Sequence, residues 1–174
     1  MNDIVSNARE KGVQIVHAPS DCMDYYEDHP ARKSGKQYKL KGVEKKLGEG
    51  KLEYETDENW PFKISGGGCD DVPQCETRKA WTKQIETIEI LEGDIITDSG
   101  VEAGSFFIKK EIKNVILLGV HTNMCVIGRS FGLRNMSRFG MNVVLMRDMT
   151  DTMYDSASWP FVSHFTGNSL MHEY

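Results

Sequence analysis

The sequence lacks long apolar segments, has few cysteines and carries no large excess of one charge. No apolar run approaches the roughly 20 residues of a membrane-spanning helix, so we expect no membrane partner. A formal net charge of -5 argues against nucleic acid or an anionic membrane surface as a partner. The 174 residues suffice for a substantial core, and we predict a single domain over residues 1–174.

Cysteine occurs at four positions, Cys22, Cys69, Cys75 and Cys125, and these contain no C-x-x-C pair. This spacing does not favour a zinc site built from cysteine alone. A disulfide between Cys69 and Cys75 is an alternative, but the preferred interpretation is that the cysteines are reduced thiols in a cytoplasmic protein. The opening residues MNDIVSNARE predict an amphipathic helix and not a signal peptide.

Signals for a cofactor or a metal are also missing. Gly66–Gly68 is followed by neither a lysine nor a helix signal, so it is not a phosphate-binding loop, and we predict no cofactor. Several side chains near the start of the chain have the chemistry of metal ligands: His17, Asp21, Asp24, Asp28 and His29. Polar surface residues are the simpler interpretation, so we predict no metal site.

The segment Asn114–Arg129 predicts a strand that leads directly to a cysteine. Val115–Leu118 is a short apolar run rich in β-formers, which is typical of a buried strand. Thr122 or Asn123 is expected to cap a helix that follows at once. Cys125 would then lie in the first helical turn, where the helix dipole favours a thiolate and unpaired N–H groups can hold an oxyanion. The alternative is an inert core cysteine.

Helical and extended patterns alternate elsewhere and favour an α/β fold. The other predicted strands are Val13–Val16, Asp94–Asp98 and Met141–Met146, and the predicted helices are Asn2–Lys11, Val101–Ile112 and one from Met124 to about Phe139 that Gly140 ends. The apolar run Met141–Met146 predicts a strand buried on both faces. Arg129, on the helix after Cys125, is expected to be solvated, and a contact with another subunit is the alternative.

The region at about 21–88 has no clear periodic element and is predicted to be an irregular, solvated insertion. The sequence Trp60-Pro61-Phe62 is expected to anchor it to the body of the domain. Long insertions often form a lid or wall over a site, which would let Asp70 and Asp71 face a cleft. The alternative for these two aspartates is that they cap a turn.

The octapeptide GVHTNMCV at Gly119–Val126 closely resembles the cysteine motif of the isochorismatase-like hydrolases, the superfamily that includes nicotinamidases. The likeness extends to Asp3–His17, Asn142–Arg147 and the acidic turn Asp148–Asp151. It implies a doubly wound, mostly parallel sheet with helices on both faces. It also implies a small-molecule substrate and a homo-oligomer.

The resemblance implies specific roles for the residues of this motif. Cys125 would attack an amide or related carbon centre, and the backbone N–H groups of His121 and Cys125 would form the oxyanion hole. The Val120–His121 peptide would be cis. The residues predicted to contact the substrate lie in this turn and at the carboxyl ends of strands: Asp98, Thr122, Asn123 and Asp148.

Two departures from the family pattern leave alternatives open. Family members open with a strand that ends in a catalytic aspartate and usually carry a lysine where this chain has Asp98. We therefore expect the domain to be incomplete at its N-terminus, with unpaired ladder groups on the neighbouring strands. A catalytically impaired member that serves as a binding or oligomeric protein is the main alternative. A third interpretation is an acidic cleft for a cation or cationic substrate, formed by Asp98, Asp148, Asp151 and the pair at 70–71.

Overall fold

The computed structural model describes residues 1–45, 47, 60–62, 72–73 and 81–174. Within these ranges the chain is a mixture of helices and strands, and no helix there has the length and apolar character needed to cross a bilayer. The helices are α1 (Asn2–Glu10), α2 (Pro30–Lys36), α3 (Gly100–Lys109), α4 (Leu133–Phe139) and α5 (His164–Glu173), with a 3-10 helix at Met23–Tyr26 and a π-helix at Thr122–Val126. The strands are β1 (Val16–His17), β2 (Ile95–Ile96), β3 (Asn114–Val120) and β4 (Asn142–Asp151).

The four strands pair into two separate parallel sheets of two strands each. β1 pairs with β2, and both are shorter than the sequence predicted. β3 pairs with β4 from Asn114 opposite Asn142 to Val120 opposite Asp151. The prediction of parallel strands is thus confirmed for two small sheets within the described residues, while one doubly wound sheet stays a prediction.

Local signals in the sequence explain where several helices begin and end. Gly12 follows α1 with a φ of 81°, and Gly140 follows α4 with a φ of 97°, a left-handed conformation that favours glycine. Both stops were predicted. Ser99 begins α3, because its side chain accepts a hydrogen bond from the backbone N–H of Glu102.

The main core lies between α3, α4 and one face of the strands, and all four strands contribute to it. Ile95, Phe106 and Met136 are almost fully buried there. The opposite face of the β3–β4 pair is open, because Ile116 and Val144 are 52% and 56% exposed. The prediction that the fourth strand is buried on both faces is therefore wrong. Side chains alternate between the two faces of a strand, and helices cover one of these faces.

Helix α2 lies in the region predicted to be irregular. Pro30 occupies its first turn, and the side chain of His29 accepts a hydrogen bond from the N–H of Ala31 at 3.1 Å. This helix buries Arg32, whose guanidinium pairs with Glu102 of α3. A short, charged segment without an apolar stripe thus forms a helix because a buried ion pair fixes it.

The predicted anchor is confirmed. Phe62 is 1% exposed, and its ring lies 4.5 Å from the ring of Tyr154 in a second core that includes Ile127 and Met171. Several other residues of the predicted insertion lie outside the described residues: Gly66–Gly68, Cys69, Asp70, Asp71 and Cys75.

Candidate functional site

Cys125 lies in the π-helix that directly follows β3. Its thiol is free and half-buried. The Val120–His121 peptide that precedes it is cis, as the resemblance implied. Because parallel strands carry ligands at their carboxyl ends, this position is compatible with a role in chemistry.

The predicted continuous helix after Cys125 is wrong. Helical residues stop at Gly128, the chain turns, and α4 begins only at Leu133. Within the turn, the N–H of Gly132 donates to the carbonyl of Arg129 at 2.7 Å. Glycine has low helix propensity, and a β-carbon on Gly132 would lie only 2.9 Å from the carbonyl oxygen of Cys125. The helix that carries Cys125 is therefore short, with seven residues at 122–128, and the predicted dipole effect on the thiol stays a prediction.

Arg129 is half-buried, whereas the sequence predicted a solvated side chain. Its backbone N–H donates to the carbonyl of Cys125 at 3.2 Å, so the two residues are one helical turn apart. The guanidinium forms an ion pair with Asp21. Burial acts to lower the pKa of Arg129, but the bonds to Cys125 and Asp21 outweigh it and raise that pKa above its ordinary value.

Asp21 is itself held by Asp98. The backbone N–H of Asp21 donates to Asp98 Oδ2 at 3.3 Å, and Asp21 has a φ of 61°. These carboxylates also face Cys22, whose Sγ donates to the carbonyl of Pro19 at 3.0 Å. Burial raises the pKa of Cys22, and the charges of Asp98 and Asp21 raise it further.

The imidazole of His121 lies at the same end of β3. Its ring centroid is 6.4 Å from that of Trp81. Burial lowers the pKa of His121; Asp151 acts against this effect, and His164 adds to it. His121 is therefore a neutral imidazole at neutral pH. The predicted role of its backbone N–H in an oxyanion hole stays a prediction.

Thr122 and Asn123 attach the cysteine turn to the end of β4. The hydroxyl of Thr122 donates to the carbonyl of Asp151 at 3.0 Å. The side chain of Asn123 donates to the carbonyl of Met153 at 2.9 Å and accepts from its N–H at 3.0 Å. Neither side chain caps the helix, so that prediction is wrong. Both side chains are buried, and their predicted contact with substrate stays a prediction.

The acidic residues at the end of β4 lie near two histidines. Asp151 pairs with His164 Nε2 at 2.9 Å. Burial and Arg147 lower the pKa of His172, while Asp151 and Asp148 oppose them. A common acidic cleft with Asp98 stays a prediction. Within the described part of the chain, no group of three or more His, Cys, Asp or Glu side chains is arranged to hold a metal ion.

The sequence did not indicate that Arg129 and Asp21 lie near Cys125. The spacing of Cys125 and Arg129 by four residues was an available signal, because such residues share a helix face. Asp21 carried no comparable signal, since its partner Arg129 is 108 positions away.

No protein-family model, curated protein or solved structure matches this chain. Its function is therefore argued from the residues around Cys125.

Proposed function

We propose that this chain is a hydrolase of the isochorismatase-like type, with Cys125 as the nucleophile on a small amide or related substrate. The carrying observation is that the free, half-buried thiol of Cys125 lies at the carboxyl end of β3, one helical turn before the cation Arg129. A cysteine next to a cation and partly open to solvent is the environment in which thiolates react. The octapeptide around Cys125 supports the same assignment.

The reaction begins when the thiolate of Cys125 attacks the carbonyl carbon and forms an S–C bond. The backbone N–H groups of His121 and Cys125 stabilise the resulting oxyanion, a contribution typically worth about 10²–10³ in rate for each donor. The C–N bond then breaks, and the amine leaves with a proton taken from a water molecule. Water cleaves the thioester, which releases the carboxylate product and restores the thiol.

We also propose that the two strand pairs belong to one doubly wound sheet. Both pairs are parallel, and α4 connects β3 to β4 in a βαβ unit, which supports this arrangement. Helices α3 and α4 pack together over one face of the β3–β4 pair.

The test is a screen of small aryl and alkyl primary amides for release of ammonia, combined with intact-mass detection of an acyl-enzyme. We expect turnover by the wild type and none by Cys125→Ser. Cys22→Ser is the matched control, because Cys22 is buried and bonded to Pro19, and it should keep its activity. Equal turnover by Cys125→Ser and wild type would exclude Cys125 as the nucleophile.

A second candidate is a binding or homo-oligomeric protein without catalysis. The open apolar face of the β3–β4 pair, with exposed Ile116, Val120 and Val144, favours it. Sedimentation of the wild type and of Val144→Lys tests this candidate. A wild-type oligomer that dissociates in the variant, together with no turnover of any amide, would support it over the hydrolase.

A further inference from the structure

We infer that Thr122 and Asn123 are positioning residues for the chemistry at Cys125, and this inference rests on the proposed role of Cys125 as nucleophile. The side chains of Thr122 and Asn123 form three hydrogen bonds, here called the clamp, to the chain at the end of β4. The clamp holds the turn that carries Cys125, and with it the thiol and the backbone N–H of that residue. The two side chains therefore act on the reaction through the turn and not by contact with the substrate.

The clamp continues the pairing of β3 and β4 beyond the end of their backbone ladder. The last paired positions are Val120 and Asp151. Beyond them, the hydroxyl of Thr122 donates to the carbonyl of Asp151 at 3.0 Å. The side-chain amide of Asn123 donates to the carbonyl of Met153 at 2.9 Å and accepts from its N–H at 3.0 Å. Two side chains thereby form the kind of bond that backbone groups form along the strands.

Burial commits both side chains to the clamp. Thr122 is 1% exposed and Asn123 is 0% exposed, so neither can turn toward a substrate while it keeps its bonds. A buried polar group that loses its partner costs more than a hydrogen bond gains, which favours keeping all three bonds. Threonine and asparagine have low helix propensity, so helix formation alone does not explain their presence at the start of this turn.

The chain that the clamp binds is itself held from the other side. The carboxylate of Asp151 pairs with His164 Nε2 at 2.9 Å, and His164 Nδ1 lies 3.0 Å from the carbonyl oxygen of Tyr154. Tyr154 is 2% exposed, and its ring packs against the buried Phe62. The clamp therefore ties the cysteine turn to a packed part of the core.

The turn between the clamp and the thiol has π-helical bonding. In an α-helix, the carbonyl of His121 would accept a hydrogen bond from the N–H of Cys125, four residues further on. Here it accepts from Met124 at 3.1 Å and from Val126 at 3.2 Å, the two residues that flank Cys125. Such turns are rare and recur at functional sites. Because the turn is short, we expect the direction of the Cys125 N–H to depend on the side chains that anchor the turn at its start.

The first experiment measures hydrogen–deuterium exchange of the backbone in the peptide that contains residues 121–128, read by mass spectrometry. The proteins are the wild type, Thr122→Val, Thr122→Ser, Asn123→Ala and the control Thr150→Val. Thr150 is 4% exposed, and its hydroxyl donates to a backbone carbonyl, that of Met146, at 2.9 Å. The control variant therefore loses an equivalent bond inside β4 and leaves the clamp intact.

In Thr122→Val we expect the turn to exchange about three- to tenfold faster, which is the effect of losing one hydrogen bond. Asn123→Ala loses two bonds and should exchange faster still. Thr122→Ser keeps the hydroxyl and should recover most of the protection. The peptide of α3, residues 100–109, is the reference for general unfolding and should exchange as in the wild type.

Two results of the exchange experiment would overturn the inference. One is a turn in Thr122→Val that exchanges no faster than the turn in Thr150→Val. The other is an equal loss of protection in α3, because the effect would then be general destabilisation. If Asn123→Ala does not fold, the comparison of Thr122→Val with Thr122→Ser decides.

The second experiment measures kcat and KM of the Thr122 variants on an amide that the screen identifies. A positioning role predicts that Thr122→Val lowers kcat by about ten- to hundredfold with little change in KM, because the reacting groups are displaced while the substrate contacts stay. Thr122→Ser should recover kcat. A raised KM with unchanged kcat would assign Thr122 to substrate contact and overturn the inference.

Failure of this inference is distinguishable from failure of the proposed function, because exchange needs no substrate. Faster exchange of the turn in Thr122→Val, with no amide hydrolysed by the wild type, would keep the clamp and reject the hydrolase. Turnover that depends on Cys125, with a turn that exchanges equally in Thr122→Val and Thr150→Val, would keep the hydrolase and reject the clamp.

Discussion

Asp21 and Arg129 are separated by 108 positions in the sequence, yet their side chains form an ion pair beside Cys125. Asp21 follows β1, and Arg129 follows β3, so this pair joins the carboxyl ends of two strands that belong to different sheets. The ion pair thereby joins the segment after β1 to the turn after Cys125.

Replacement of Asp21 by Asn is expected to make Cys125 more reactive. The amide oxygen still accepts a hydrogen bond from Arg129, so the guanidinium stays in place, while the negative charge that opposes a thiolate is removed. The alkylation rate of Cys125 at pH 7 should rise several-fold, and its midpoint should move to lower pH. Glu27→Gln is the control, because Glu27 pairs with Lys36 in another exposed ion pair. Slower alkylation in Asp21→Asn would contradict this prediction.

The parts of the fold that the sequence predicted depend on local signals. The helix before Gly12, the strand at 114–120 and the stop at Gly140 follow from side-chain periodicity and from the backbone freedom of glycine. Phe62 was recognised as an anchor because a large aromatic side chain in a polar segment gains most from burial.

The parts that were missed depend on contacts distant in sequence or on close steric fits. Helix α2 forms around Arg32, whose partner Glu102 lies 70 positions away. The break before α4 needs the close approach of Gly132 to neighbouring carbonyls, which no periodicity reveals. The same holds for the candidate site: the position of Cys125 was predicted from local signals, but the nearby Arg129–Asp21 ion pair was not.

Replacement of Glu102 by Gln is expected to destabilise the fold strongly. Glu102 accepts hydrogen bonds from Arg32 and, at 2.6 Å, from the hydroxyl of Thr97, and all three residues are buried. The variant leaves the buried charge of Arg32 without its counterion, a change that typically costs about 3–5 kcal/mol. Urea unfolding measures the loss. Glu86→Gln, in an exposed pair with Lys83, is the control and should change stability little.

Stability is expected to fall as the pH decreases below about 6.5. Burial lowers the pKa of His121 and of His172 from the ordinary value of 6.5. The unfolded chain therefore binds more protons than the folded chain in this range, so the contribution is complete above pH 6.5 and is lost as the pH falls through the folded pKa. Urea unfolding at pH 5.5 and pH 7.5 measures the difference. His172→Gln should reduce it, and an unchanged difference in that variant would contradict the assignment to His172.

Replacement of Gly132 by Ala is expected to reduce both stability and the reactivity of Cys125. Gly132 has a φ of -79°, which any residue adopts, so the effect is steric. The added carbon would lie 2.7 Å from the carbonyl oxygen of Val126 and 3.0 Å from that of Arg129. Because these contacts are all with backbone, the turn must open, at a typical cost of about 1–3 kcal/mol. The movement displaces Arg129 from Cys125.

Gly140→Ala is the matched control for this variant. Gly140 has a left-handed φ of 97°, and no atom lies within 4 Å of the place that a β-carbon would take, so its alanine variant is destabilised by backbone strain alone. That strain typically costs about 1 kcal/mol. Gly140 lies beyond α4, and its variant should leave the alkylation profile of Cys125 unchanged. Gly132→Ala could lose stability while its Cys125 is alkylated as fast as the Cys125 of Gly140→Ala. In that case the tight turn does not hold Arg129 against the thiol. Slower alkylation in Gly132→Ala alone ties the reactivity of Cys125 to the geometry of the turn.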